Sequence, residues 1–126
     1  MVLLLGSNVE QEDNIQKAQL FLRSLFPSPV FTGAIWTNPV GVDTDRYLNC
    51  MCVFYTSHGI AQVVRALKHL ENKIGSTTAE RNRDQIKIDL DIMMFGNEKM
   101  HLNDWNREYV IRLYKELREK EGTSLM

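Results

Sequence analysis

IKIDLDIMMFG, residues 86–96, is the stretch from which the rest of the chain is read. Ile86, Ile88, Leu90, Ile92 and Met94 alternate with Lys87, Asp89 and Asp91, the period of two expected of a strand with one face in a core. Asp89 and Asp91 then leave the opposite face together, their backbones separated by about 6.5–7 Å. Carboxylates this close repel one another and lose hydration when covered, so the pair needs a cation or basic partners nearby. Ligands that are all oxygen favour magnesium or manganese over zinc. The plain alternative is a solvated sheet face on which Lys87 is the counter-charge.

The segments around this strand fall into a regular order. VLLLG (2–6) reads as a buried strand, and residues 8–26 carry Ile15, Ala18, Leu22 and Leu25 at helical spacing before Pro27 and Pro29 end the helix. VFTGAIWT (30–37) and YLNCMCVFYTS (47–57) read as strands pairing antiparallel across the turn-rich TNPVGVDTD (37–45). A second helix runs from Gly59 to Ile74 with Ile60, Val63, Val64, Leu67 and Leu70 inward, Ser57 as its N-cap and Gly75 as its terminator. The polar STTAERNRDQ (76–85) leads into the opening strand. Residues 101–122 read as one last helix, capped by Asn103 or Asp104, with Trp105, Tyr109, Leu113 and Leu117 inward. The order β-α-β-β-α-β plus a C-terminal helix is the split β-α-β pattern of an α+β, ferredoxin-like antiparallel sheet with helices packed on it. One domain over residues 1–126 is expected, with the first and fourth strands next to one another or nearly so, near the sheet centre.

The totals narrow the chemistry. With 126 residues and a formal charge of -1, the chain has no net field to draw it to nucleic acid or an anionic membrane, so any phosphate binding must be local. The apolar run after Met1 is too short for a signal peptide or a membrane span, and a soluble cytoplasmic protein is expected. Cys50 and Cys52 share one strand face, where a disulfide fits badly, and read as buried small hydrophobes. His58 and His69 read as surface residues, and no Ser, His or Cys constellation points to a nucleophile.

LGSN (5–8), TNPVG (37–41), YLN (47–49), LENKIG (70–75) and IDLDIMMFGNE (88–98), in that order, together resemble hydroxymethyldihydropterin pyrophosphokinase. That folate-pathway family moves the terminal diphosphate of ATP onto the hydroxymethyl group of a reduced pterin, and the resemblance runs from Leu4 to Glu98. It implies that Asp89 and Asp91 hold two Mg2+ ions bridging the ATP phosphates. It also implies that Thr37, Asn38, Pro39 and Val40, with Tyr47 and Asn49, grip the pterin. The chemistry suits the ligand, since a flat heterocycle wants an aromatic face and its amide edge an Asn that donates and accepts. Glu71 matches a family glutamate near the nucleotide. Gly6 reads as a site of close backbone approach, and Asn8 as a cap for the helix that follows.

The resemblance has gaps. Ser76 and Ile86 stand where the family carries phosphate-clamping arginines, leaving Lys73, Arg81, Arg83 and Lys87 as the substitutes. The family's last segment, Pro-His followed by a basic and an aromatic residue, finds no motif match: His101 comes too early, and Trp105 and Tyr109 are candidates for the second pterin ring that also suit core packing. The implied partners are a small-molecule pterin and ATP, with no nucleic acid and no membrane, in a monomer or weak homodimer. A non-catalytic pterin- or nucleotide-binding paralogue and a plain interaction domain are the alternatives.

Overall fold

A computed structural model describes residues 1–38, 46–75, 83 and 85–122. Six strands, β1 (Val2–Ser7), β2 (Val30–Phe31), β3 (Ile35–Thr37), β4 (Tyr47–Val53), β5 (Asp89–Phe95) and β6 (Glu98–Lys99), form one antiparallel sheet. Its order is β2-β4-β1-β5-β6, with β3 also paired to β4. The first strand and the strand of the paired aspartates are neighbours, as the apolar content of both predicts. Three helices, α1 (Gln11–Leu25), α2 (Ile60–Ile74) and α3 (Glu108–Glu121), complete the described fold.

Alternation along the three longest strands sends side chains into two separate cores. Leu3, Leu5, Cys50, Cys52, Leu90 and Ile92 meet α1 and α2 through Ile15, Ala18, Leu22, Val63, Leu67 and Leu70. Val2, Leu4, Met51, Val53 and Met93 meet Val110, Leu113 and Leu117 of α3 on the other face. The sheet is therefore sandwiched, with α3 as the lone helix on its second face among the described residues. Both cysteines are buried free thiols, pushed up by desolvation, Cys50 to about 11.

Local structure departs from the sequence reading where side chains compete with the backbone. The predicted strand 30–37 is interrupted, because the Thr32 hydroxyl accepts from the Met51 amide at 2.9 Å and donates to the Gly33 carbonyl at 2.8 Å, while the Gly33 amide donates to Glu116 at 2.7 Å. Helix α2 starts at Ile60 with Gly59, not Ser57, as its extended N-cap. The predicted helix from residue 101 is likewise shorter. Trp105 donates its indole N–H to the carbonyls of Met93 (3.1 Å) and Met100 (2.9 Å), which holds Asp104–Asn106 as a 3-10 turn against the β5–β6 hairpin. Arg107 is then extended (φ -74, ψ 138), and α3 begins at Glu108. Asn8 is not a helix cap: its side-chain oxygen accepts the Ile86 amide at 2.6 Å and its own amide donates to the Ile86 carbonyl at 2.9 Å. The N-cap of α1 is Glu10, in a left-handed conformation (φ 43, ψ 52).

If α3 is an integral second layer, truncating Leu113 should cost what a core leucine costs. Leu113→Ala is expected to lower unfolding free energy by about 2–5 kcal/mol in urea titrations. Ile111→Ala, on the 55% exposed side of the same helix, should change it by less than about 0.5 kcal/mol.

Candidate functional site

The site occupies the end of the sheet that α3 leaves uncovered. Register sets two rows across the face: Asn49 on β4, Gly6 on β1 and Asp89 on β5 form one, and Met51, Leu4 and Asp91 the next. A Cβ on Gly6 would stand 3.0 Å from the Asn49 side-chain oxygen and 3.6 Å from the Tyr47 ring, so glycine lets both side chains lie across the central strand. Asn49 donates its side-chain N–H to the Thr37 hydroxyl at 2.7 Å, which fixes how the amide is turned.

Two cavities meet at the aspartates. One, of about 310 Å³, is lined by Gly6, Thr37, Asn38, Tyr47 and Asn49 on the β3–β4 side, by Asp104 and Arg107 from the approach to α3, and by Tyr109 from its first turn. The other, of about 550 Å³, lies between β5 and α2, where Ile60, Val64 and Leu67 give an apolar wall and Lys68, Glu71, Asn72 and His101 a polar one. Asp89 and Asp91 line both. Glu71 also accepts the Leu90 amide at 2.9 Å, so it steadies β5 from α2.

The electrostatics of the pair follow from its burial. Desolvation, then the charge of Asp89, lift the Asp91 carboxyl from 3.8 to about 7, against a smaller downward pull from His101. Among the described residues no three His, Cys, Asp or Glu side chains gather as a metal cage. Two neighbouring carboxylates are a donor set whose chemistry fits a hard divalent cation. Arg107 donates to Asp104 at 2.9 Å at the cavity mouth. Tyr109 is also pushed up, mainly by burial.

Of the residues singled out from sequence, Thr37, Asn38, Tyr47, Asn49, Glu71, Asp89 and Asp91 come together around these cavities. Pro39, Val40, Ser76 and Arg81 lie outside the described residues. Lys73 turns toward α1, its ammonium 5.7 Å from the Phe21 ring centre. Lys87 reaches back to the end of α2, its ammonium 3.2 Å from where a Gly75 Cβ would be, and Arg83 is exposed. Neither cavity is lined by Lys73, Arg83 or Lys87. Motif matching left out His101, Asp104 and Arg107 and weighed Tyr109 toward the core, yet the fold brings all four to the site. The signal available was the pairing of Asp104 with Arg107 three residues on, and of Arg107 with an aromatic residue two further.

Over residues 2–119 the chain matches the family model of 7,8-dihydro-6-hydroxymethylpterin-pyrophosphokinase. A search of curated proteins gives no match. No helix among the described residues is long and apolar enough to cross a membrane.

The lifted Asp91 has a consequence for stability. Between the ordinary value of 3.8 and about 7 the folded state holds a proton that the unfolded chain gives up, so ligand-free stability falls as pH rises through that window. Asp91→Asn removes this cost. Its melting temperature in chelator should exceed that of the parent by several degrees at pH 8, with the advantage shrinking toward pH 4; a constant difference across pH would contradict the shift.

Proposed function

This chain belongs to the 7,8-dihydro-6-hydroxymethylpterin-pyrophosphokinase family, and on that premise we propose that it transfers diphosphate from ATP to the hydroxymethyl group of 6-hydroxymethyl-7,8-dihydropterin. The observation that carries this reading is the meeting of two cavities of different character at one pair of carboxylates. A two-substrate transfer needs such a junction, because the attacking hydroxyl and the phosphate chain must arrive from different sides and face each other.

In this reading the smaller cavity takes the pterin. Tyr47 and Tyr109 offer aromatic faces, and the Asn49 amide, oriented by Thr37, addresses the polar edge of the ring beside Asn38. Pro39 and Val40 complete this subsite by resemblance. The larger cavity takes the nucleotide, its base on the apolar wall of α2 and its polar groups toward Glu71 and Lys68. Asp89 and Asp91 would hold Mg2+, which supplies charge neutralisation on the polyphosphate and orients it. Arg107 and His101 border the junction and are the basic residues proposed to meet phosphate there, with Arg81 retained from the sequence reading; Arg83 and Lys87, which line neither cavity, are not assigned this role. No covalent intermediate on the protein is required, since positioning and charge stabilisation carry phosphoryl-type transfer.

One observation favours the alternative of a pterin binder without transfer. Ile86, at the position of a family arginine, has its backbone engaged by Asn8 and no charge to offer. The two readings part in a single assay. Purified protein with ATP, Mg2+ and the hydroxymethyl pterin should release AMP only when all three are present, and Asp91→Ala should lower that rate by about 10²- to 10³-fold or more. Tyr109→Ala should raise the KM for pterin about tenfold, an aromatic contact's worth, and leave that for ATP unchanged. Pterin binding by calorimetry without AMP release at high enzyme concentration would establish the binder instead.

A further inference from the structure

Asn8, in the turn between β1 and α1, and Gln11, the first residue of α1, lie outside both cavities, yet they join the two strands that carry the site. Asn8 is 1% exposed and takes both backbone groups of Ile86, three residues before Asp89. The turn itself is held by the Ser7 hydroxyl and the Asn14 amide, which donate to the Val9 carbonyl at 3.0 and 2.6 Å. Gln11 then donates its one side-chain amide nitrogen to two carbonyls, that of Asn8 at 3.2 Å and that of Arg46 at 3.0 Å. Arg46 immediately precedes Tyr47, the first residue of β4. A continuous set of hydrogen bonds thus runs from the start of the tyrosine-bearing strand, through Gln11 and Asn8, to the lead into the aspartate strand.

We propose that Gln11 is a positioning residue, which sets the start of β4 against the lead into β5. The ring held by Tyr47 and Asn49 is thereby brought to the phosphate chain at Asp89 and Asp91. The proposal rests on the assignment of the two cavities given above. Its physical content is the direction of two hydrogen bonds. Gln11 faces two carbonyl oxygens and must donate to both, so the residue's size and polarity matter less than its N–H groups.

The test exploits that asymmetry. Gln11→Glu keeps the shape and sets a carboxylate against both carbonyls, whereas Gln11→Lys restores a donor. With AMP release as readout, Gln11→Glu is expected to lower kcat by about 10- to 100-fold with the affinity for Mg-ATP unchanged, the scale of a misplaced reacting group. Gln11→Lys should return most of that loss. In the ligand-free proteins, amide hydrogen exchange over residues 46–48 should be faster in the Glu variant and close to the parent in the Lys variant, at matched melting temperature. Parental kcat in Gln11→Glu overturns the proposal, as does an equal loss in both variants. A parent protein that releases no AMP would defeat the proposed transfer, and unchanged exchange in Gln11→Glu would then still overturn the anchoring of β4 by Gln11.

Discussion

Repulsion between two carboxylates held on one strand is the constraint around which this molecule is arranged. Asp89 and Asp91 cannot drift apart, because Ile88, Leu90 and Ile92 between and beside them are locked in the core under α1 and α2. Their backbone is further pinned by β1 on one side and by the Glu71 carboxylate on the Leu90 amide. The strand that secures the fold is therefore the strand that stores the electrostatic cost: burial first, and the charge of Asp89 second, make Asp91 hold its proton to near neutrality. The two cavities come together at this same pair.

The second face of the sheet shows how that place is kept open. Helix α3 covers Val2, Leu4, Met51, Val53 and Met93 but is stopped short of the site by the 3-10 turn and the extended Arg107. A helix running without a break from residue 101 would have carried a different set of side chains over the aspartates. The break instead delivers Asp104, Arg107 and Tyr109 to the cavity edge, and the Trp105 indole anchors the turn to the β5–β6 hairpin. Gly6 does the complementary work on the floor, since any side chain there would contest the space of Asn49.

How much of this was legible beforehand depends on the range of the interaction. Period-two alternation in 86–96 and 47–53 revealed the strands and the shared faces of Asp89 with Asp91 and Tyr47 with Asn49, because those relations are local. The same holds for the apolar stripes of α1 and α2, except at Leu25 and Val64, which were read into those stripes and are exposed. Contacts between distant segments were not legible. Asn8 resembles a helix cap in sequence, and only the fold shows that its amide is claimed by Ile86, 78 positions away. Thr32 divides a predicted strand by bonding to Met51, and Trp105 shortens a predicted helix by bonding to Met93 and Met100. Each is a polar side chain satisfying a distant backbone group, an interaction without a periodic trace. His101 and Arg107 were missed for the same reason: their place at the site is a property of where the hairpin and turn land.

The charge around the junction bears on how ligands enter. Asp89, Asp91 and Asp104 crowd the space between the cavities, while the described basic groups that line them are Lys68, His101 and Arg107, of which Arg107 is engaged by Asp104. With a chain of net charge -1 there is no broad positive field to offset this locally. A bare polyphosphate approaching from the α2 side would meet carboxylates across a short, partly desolvated gap, where their repulsion is poorly screened. The same phosphate carrying a divalent cation reverses the sign of that encounter and removes the reason for Asp91 to keep its proton. In the proposed transfer, nucleotide, metal and the loss of one proton would thus be linked through β5, beside a cavity that Tyr47, Asn49 and Tyr109 line on the other side.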